Sequence, residues 1–548
     1  MNDFTHPKIK IRPVCRILQK KLCDEGLPPI TARLLAGRGI DGRKEIIPSL
    51  QTLPTPDFLP NIERFCDLMS TAVKNKQPIC VVGDYDADGM SATALAVKCL
   101  QRMNATVSWT IPERQTHGYG LHPAIVESEA ANGSQILLTV DNGINANRAI
   151  ARAKELGLTV CVTDHHLPGD ELPPADCLVN PRLGENHAGQ NLAGVGVAFY
   201  AMAALRRHLG FDFDMSSYLD LVALGTVADC VKLDAINRAL VGGGLARLRT
   251  GQVSPPLAAL SVYTRSPRHD INCRDISFRL APRLNAAGRF DKAALGVRFL
   301  LANDMTQARR LAAQLDTLNN RRIALMSNTM AEASALLDEH LPAGIVVARD
   351  NWLPGVLGLI AGQLCEKHHR PALAFSPHEG YWRGSGRAPK GWQLHNLIKK
   401  IATEGGVIPG RFGGHAEAVG VTVENIEKFA DVFTRACEEE EMNSRASAWD
   451  VDAVPPPEEV TMQAVSDLQK LVWGEGFPPP RFAGEFDISQ QRPLKGGHLQ
   501  LQLQQGNWRL PAICFNRTQL VGNKIAMVFS LVNDRYTSQV SGIIEIIL

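Results

Sequence analysis

A chain of 548 residues and 59.7 kDa is too long for one ordinary core and predicts roughly three or four domains. With 45% hydrophobic and 21% charged residues it has the balance of a soluble globular protein. A net charge of +2 excludes a surface that is basic throughout, so a nucleic-acid site has to be a local groove.

Residues 1–50 predict a mixed, mostly helical lead-in, and MNDFTHPKIKIRPV lacks the apolar core of a signal peptide. From residue 79 to about 180, short apolar runs alternate with helical stretches: ICVV, TVSWTIP, ILLTV, TVCVT and DCLVN. That alternation predicts a parallel α/β sheet over 51–302. The run LAGVGVAFYAMAAL at 192–205 is too short and too rich in small residues to span a bilayer. Residues 303–339 contain no Gly or Pro, and Leu311, Leu315, Leu318, Ile323, Met326 and Met330 recur at near-helical spacing. They predict one helix over 303–340, ~50 Å long, bridging two lobes. A second α/β unit over 341–437 follows, with strands GIVVA at 344–348 and PALAF at 371–375. Glu438 to Glu441 and the Pro-rich VDAVPPPEEV mark a linker over 438–458. In 459–548, HLQLQLQQGNWRLPAICF alternates about a Gly-Asn turn, and MVFSLV and SGIIEIIL follow, which predicts a small β-barrel. The 12 cysteines form no CxxC pair, which argues against a zinc site or a disulfide framework and suits a reducing cytoplasm.

The chemistry begins at VVGDYDADGM, residues 81–90. Asp84, Asp86 and Asp88 crowd one loop between a buried-type strand and a helix, where they need cations or protons. One helix cap explains a single Asp and leaves two to face water. Strand 136–140 runs straight into Asp141-Asn142-Gly143, and strand 159–163 into Asp164-His165-His166. Parallel strands thus deliver acids and histidines at their carboxyl ends, the ligand-binding edge of open α/β sheets. Asp229, in the apolar run LDLVALGTVADCV, is a fourth candidate. Each feature has an ordinary alternative: a turn, a cap, a surface histidine, an Asp paired with an arginine. Their recurrence at one edge favours a pair of divalent metals. Asp84, Asp86, Asp141 and Asp229 balance two M²⁺ ions, and His165 in the shell shifts the expectation from Mg²⁺ toward Mn²⁺. Two such ions serve phosphate ester or anhydride hydrolysis without a nucleophilic side chain.

GDYDADG at 83–89, DNG at 141–143 and DHH at 164–166 resemble the DHH phosphoesterase superfamily. PERQTHGYGL at 112–121, LAGVGVAF at 192–199, TVAD at 226–229 and RLNAAGR at 283–289 resemble its RecJ branch of single-stranded-DNA exonucleases. NWLPGVLGLIAGQL at 351–364, GSGR at 384–387 and GGHAEAVG at 413–420 are similar to the accompanying DHHA1 domain, and the tail to an OB-fold. The resemblance covers roughly residues 50–548 and implies release of mononucleotides from the 5′ end of single-stranded DNA with Mn²⁺ or Mg²⁺, in recombination and repair. It implies metal ligation by Asp84, Asp86, Asp141, His165 and Asp229, and catalytic assistance from His166 and Asp88. It further implies 5′-phosphate and backbone binding by Ser385, Arg387, Arg289, Arg283 and His415. Single-stranded-DNA-binding protein and a RecQ-type helicase are the partners it suggests. His117 departs from the family pattern, which often carries an acid there.

The arginines at 283, 289 and 387 are suited to fork onto phosphate oxygens, although each has an ion-pair alternative. Trp508, Phe515 and Tyr536 in the barrel are candidates to stack on bases, with Phe515 the one best placed in the core. The lobe–helix–lobe order predicts a groove admitting one strand and excluding duplex. Rival readings keep the site but change the substrate to oligoribonucleotides, cyclic dinucleotides, 3′-phosphoadenosine phosphate or pyrophosphate, or drop catalysis for a DNA-binding scaffold. The barrel weighs against the first group, and the complete ligand set against the scaffold.

Overall fold

The computed structural model describes all residues except 1–8, 47–48, 114–119, 185–187, 265–266, 338–339, 379, 405–407, 409–411, 444–448, 516 and 535–536. The chain divides into two compact units, one of residues 11–319 with 451–547, the other centred on 320–450.

The first unit is built on a five-stranded sheet of β1 (Ile79–Val82), β2 (Val107–Thr110), β3 (Ile136–Val140), β4 (Thr159–Thr163) and β5 (Cys177–Val179). The strands lie in the order β2-β1-β3-β4-β5, all parallel. The β1 and β3 strands are buried at every residue, as continuous Val/Ile/Leu runs require when helices cover both faces. The chain leaves β1 in one direction and returns on its other side as β3, so the topological switch lies between them. Helices α1 (Ala87–Arg102), α2 (Gly194–His208) and α3 (Leu219–Ala228) pack on this sheet or on one another, and α4 (Ala281–Arg289) abuts α1. No helix among the described residues is long and apolar enough to cross a membrane.

The expected barrel is closed, with Phe482–Leu494, His498–Gln505, Trp508–Cys514, Gln539–Ile547 and Lys524–Asp534 in that spatial order. Trp508–Cys514 pairs in parallel with Gln539–Ile547, an OB-type closure. The Gly-Asn turn joins Gln505 to Trp508 across a two-residue loop, with Gly506 at φ 58°. The barrel belongs to the first unit and shares its core. Here the linker expectation fails. Glu438–Glu441 fall within the helix Ile426–Asn443, and Val451, Asp452 and Ala453 are buried. Asp452 takes a fork from Arg38 at 2.7 Å on both oxygens, and the Arg481 N–H at 3.0 Å. A buried bidentate pair binds this segment, so its prolines do not make it a free tether.

The long helix is α5, Met305–Ala335, 31 residues. Leu311, Leu315 and Leu318 pack into the first unit's core, and Met326 and Ala333 into the second's. Ile323, counted with them from spacing, is instead 51% exposed. The second unit has strands β6 (Ile345–Ala348), β7 (Ala372–His378), β8 (Tyr381–Arg387), β9 (Phe412–His415) and β10 (Ala418–Val423). Their order is β9-β10-β8-β7-β6, parallel only between β6 and β7.

Candidate metal centre and its relatives

The opening loop of the site is a helix N-terminus in its own right. Asp86 caps α1, its Oδ1 accepting the N–H groups of Asp88 and Gly89 at 3.0 Å each. The capping explanation therefore holds for Asp86, but Asp84 and Asp88 do not face water: each is 1% exposed. Asp88 instead receives the first N–H groups of α2, Gly194 at 2.7 Å and Val195 at 3.0 Å. A carboxylate at a helix N-terminus is favoured by the dipole as well as by the hydrogen bonds. Asp88 thus ties α1 to α2 as well as facing the centre. Gly194 is required by close approach, since a Cβ there would stand 2.4 Å from Asp141 Oδ1.

At the end of β3, Asp141 is 2% exposed and takes a left-handed backbone, φ 62°. The neighbouring Asn142 amide donates to the carbonyls of Val82 (3.0 Å) and Val140 (2.9 Å), fixing the ends of β1 and β3 together. At the end of β4, Asp164 is an organiser. Its Oδ1 accepts the backbone N–H groups of His165 (2.7 Å) and His166 (3.1 Å) and pairs with His166 Nδ1 at 2.7 Å, while Oδ2 accepts Ile144 N–H at 3.0 Å. The His165 and His166 carbonyls are held in turn by Arg182 Nε (2.7 Å) and the Asn180 amide (2.9 Å). Asp229 caps the C-terminal end of α3. His165 Nε2 lies 3.1 Å from Asp141 Oδ1 and 3.6 Å from Asp229 Oδ2.

The ligand-type atoms converge. Those of Asp84, Asp86 and Asp141, of Asp88, His165 and Asp229, and of Asp141, His165 and His166 form triads within 4.8 Å. All five sequence-predicted ligands, with His166 and Asp88, thus meet at the switch point. Burial, followed by the charges of Asp88, Asp86, Asp229 and Asp84, holds the Asp141 carboxyl well above the usual carboxylate range. Burial and then Asp88 do the same to Asp229, and burial with Asp86 pushes Asp88 up to about 7 against its two N–H donors. Burial and the adjacent His166 lower His165 to about 3, keeping it a neutral imidazole. Burial alone would lower His166 too, but its hydrogen bond and charge contact with Asp164 raise it on balance. Buried acids that repel one another beside a neutral imidazole fit divalent cations, which supply the missing positive charge.

A pH dependence follows. The three raised acids bind protons more readily in the fold than in the unfolded chain. Their protonated forms therefore support the fold below the ordinary carboxylate range, and that support is lost as pH rises through the Asp88 value of about 7. Metal-free protein is expected to melt lower at about pH 8 than at about pH 6, and saturating Mn²⁺ to remove most of that difference. Melting temperatures insensitive to both variables would mean that these acids do not share a centre.

Sequence reasoning assigned RLNAAGR only to anion binding. In the structure, Asn285 Oδ1 accepts the N–H of Ala87 at 2.8 Å, and Gly288 lies against the Tyr85 carbonyl, where a Cβ would sit 2.0 Å from the oxygen. The motif holds the acidic loop from outside. Arg283 is not in an open anion pocket. Its guanidinium pairs with Asp316 at 2.7 and 2.9 Å, donates to the Arg279 carbonyl and stacks over Tyr263 at 4.4 Å. Arg289 ends α4 and is half-buried.

Ser385 and Arg387 alternate on β8 in the second unit, both half-buried. They lie over the helix Pro354–His368, where a Cβ on Gly358 would be 3.3 Å from an Arg387 Nη and 3.6 Å from Ser385 Cβ. Arg387 donates to the Gly386 carbonyl at 2.8 Å. His415 is the last residue of β9, and its side chain lies outside the described residues. So do His117 and Tyr536. In the barrel, Trp508 is half-buried against Phe486, ring centroids 5.4 Å apart. Phe515, expected in the core, is 44% exposed and meets His498 edge-on at 5.0 Å, because it falls one residue beyond its strand.

The DHH family N-terminal domain matches residues 78–226, the DHHA1 domain 342–440 and the RecJ OB domain 451–546. Single-stranded-DNA-specific exonuclease RecJ of Escherichia coli is 36% identical over 521 residues, covering 89% of each chain. The chain belongs to the RecJ family. The RecJ structure from Thermus thermophilus in complex with Mn²⁺ superposes with a TM-score of 0.82 at 26% identity, covering 99% of this chain and 79% of that one. Its Mg²⁺ complex gives 0.76 at 25% identity, with 99% and 78% covered. RecJ architecture, two α/β parts and a barrel, is thus the architecture found here.

Proposed function

We propose that this chain is a single-stranded-DNA-specific exonuclease that releases mononucleotides from the 5′ end, in recombination and repair, using two divalent ions, Mn²⁺ or Mg²⁺. One observation carries it: Asp84, Asp86, Asp141, His165 and Asp229 converge at the switch point of a RecJ-family chain. When bound, such ions supply charge for the phosphoryl oxygens and acidify water. The chain's own groups do the rest. Asp164 fixes the tautomer and ring plane of His166, which addresses the phosphate through Nε2. Asp88 fixes α2 beneath the acids. In the second unit Ser385, Arg387 and His415 bind the terminal phosphate, the guanidinium of Arg387 forking onto oxygens, and in the first unit Arg289 binds the backbone. Arg283 is left out, since Asp316 already holds it. Single-stranded-DNA-binding protein and a RecQ-type helicase are the protein partners this reading implies.

The test is digestion of 3′-labelled single-stranded DNA with Mn²⁺, bearing either a 5′-phosphate or a 5′-hydroxyl, beside duplex and short RNA controls. Mononucleotides from the 5′ end of single strands are expected, and confinement to di- or trinucleotides would replace the substrate class. Arg387→Gln is expected to lower the rate on 5′-phosphorylated strands by about 10–100-fold, the scale of one lost bidentate phosphate contact. On 5′-hydroxyl strands it should change little. Equal losses on both ends would remove Arg387 from the terminal-phosphate role.

A further inference from the structure

The first unit carries a recess of mixed polar and apolar lining, built from elements that contribute nothing to the acids. Its volume is about 480 Å³, and it is lined by Trp109 on β2, by Arg298 of the helix Ala293–Leu300 and by one face of α5. That face presents Gln307, Arg310, Leu311 and Gln314 at i, i+3, i+4 and i+7, the spacing that places residues on one side of a helix. The β2 strand is an edge of the sheet, and Trp109 is half-buried, one side of it packed on the core.

The charges are unbalanced. Arg33, Arg38, Arg283 and Arg481 each hold a carboxylate. Among the described residues, Arg298 and Arg310 have neither an ion-pair nor a hydrogen-bond partner, and the Trp109 indole N–H and the side-chain amides of Gln307 and Gln314 have none either. Asp304, the acid beside the recess in sequence, is turned to capping α5 through the Gln307 N–H at 2.8 Å. Two exposed guanidinia without a carboxylate partner, lining one recess, favour an anion. A flat indole and two amides add what a bare anion does not use: a stacking surface and donor–acceptor groups for a base edge.

We propose that this recess binds a single nucleotide, its base against Trp109 and its phosphate held by Arg298 and Arg310. The volume lies within the ~300–1,000 Å³ range of small-molecule sites. The inference rests on the nuclease reading, which provides two sources of the same chemistry: the free 5′-mononucleotide that hydrolysis releases, or one nucleotide of a longer strand.

The test uses the full-length protein with metal removed, so that hydrolysis is silent. Photo-cross-linking with 8-azidoadenosine 5′-monophosphate, followed by peptide mapping, is expected to label the segment around Trp109. Arg298→Gln/Arg310→Gln is expected to reduce that labelling at least tenfold. Both residues are exposed, so the double variant should fold, and Trp109→Phe serves as a second variant that keeps the packing. Competition separates the sources. Displacement by unmodified mononucleotide at lower concentration than by an oligonucleotide identifies the product as ligand, and the reverse order identifies the strand. Labelling elsewhere, labelling unchanged in the double variant, or displacement by inorganic phosphate as effective as by mononucleotide each overturns the nucleotide site. Hydrolysis of single-stranded DNA by the same wild-type preparation with Mn²⁺ restored is read separately, so a failed recess leaves the nuclease reading standing.

Discussion

Asp141→Asn is expected to reduce hydrolysis of single-stranded DNA by on the order of 10³-fold, the scale on which loss of one charge-stabilising group acts in a closed site. The same change is expected to leave the metal-free protein more stable than wild type. Asn keeps the shape and, with Asp, is one of the few residues that accept the left-handed backbone of position 141. What it removes is one of several buried negative charges that raise one another's proton affinity. Relief of that repulsion should raise the metal-free melting temperature by about 1–3 °C. The stabilisation by Mn²⁺ should shrink at the same time, since a neutral amide is a poorer partner for a cation. Loss of activity with a lower metal-free melting temperature would instead mark Asp141 as an acid that holds the fold, and its metal role would fall.

Gly288→Ala is expected to destabilise the first unit by about 1–3 kcal/mol, the usual cost of overpacking a close-packed site. The new Cβ would sit 2.0 Å from the Tyr85 carbonyl oxygen and 3.0 Å from its carbon. Both partners are backbone, so no side chain can swing away. The helix cannot retreat freely, because Leu284, Ala286 and Ala287 on α4 are fully buried behind it. If α4 lifts, the Asn285 bond to Ala87 N–H stretches, and the cap residue Asp86 next to it loses its position. The variant should therefore need more Mn²⁺ for half-maximal rate as well as melting earlier. Gly242→Ala is the control of opposite sign. It too is a helical glycine, but a Cβ there meets only Val472 Cγ2 at 3.7 Å, so the change should stabilise by up to about 1 kcal/mol. Two glycine substitutions of similar effect would sink the close-approach argument.

The first sheet was legible strand by strand, because β1, β3 and β4 are unbroken apolar runs that end at an acid or a DHH triplet. The second unit was half legible. Its parallel pair β6 and β7 was visible, whereas β8, with the sequence YWRGSGR, entered the sequence reading only through its GSGR motif and not as a strand. Gly384 pairs with Phe375 and Val421 in the sheet, and only a glycine fits there, since a Cβ would stand 2.3 Å from the Phe375 ring. No local pattern reports a neighbour's ring. The buried segment Val451–Ala453 was misjudged for a related reason. Its fixed conformation comes from Arg38, more than four hundred residues earlier in the chain.

Local sequence determined which side chains are the candidates for the chemistry, because ligand type and position at a strand end are properties of short segments. It also determined the module order, since periodicity of two and of 3.6 survives in a bare sequence. Tertiary structure alone decided how those side chains divide the work. Asp86 became cap and ligand candidate together, Asp88 a tie to α2, Asp164 the organiser of both histidines, and Arg283 the partner of Asp316. Each of these roles depends on a distance between atoms that only the folded chain sets, and on the low-dielectric burial that makes an unpaired charge expensive. Neither quantity exists until the chain has folded.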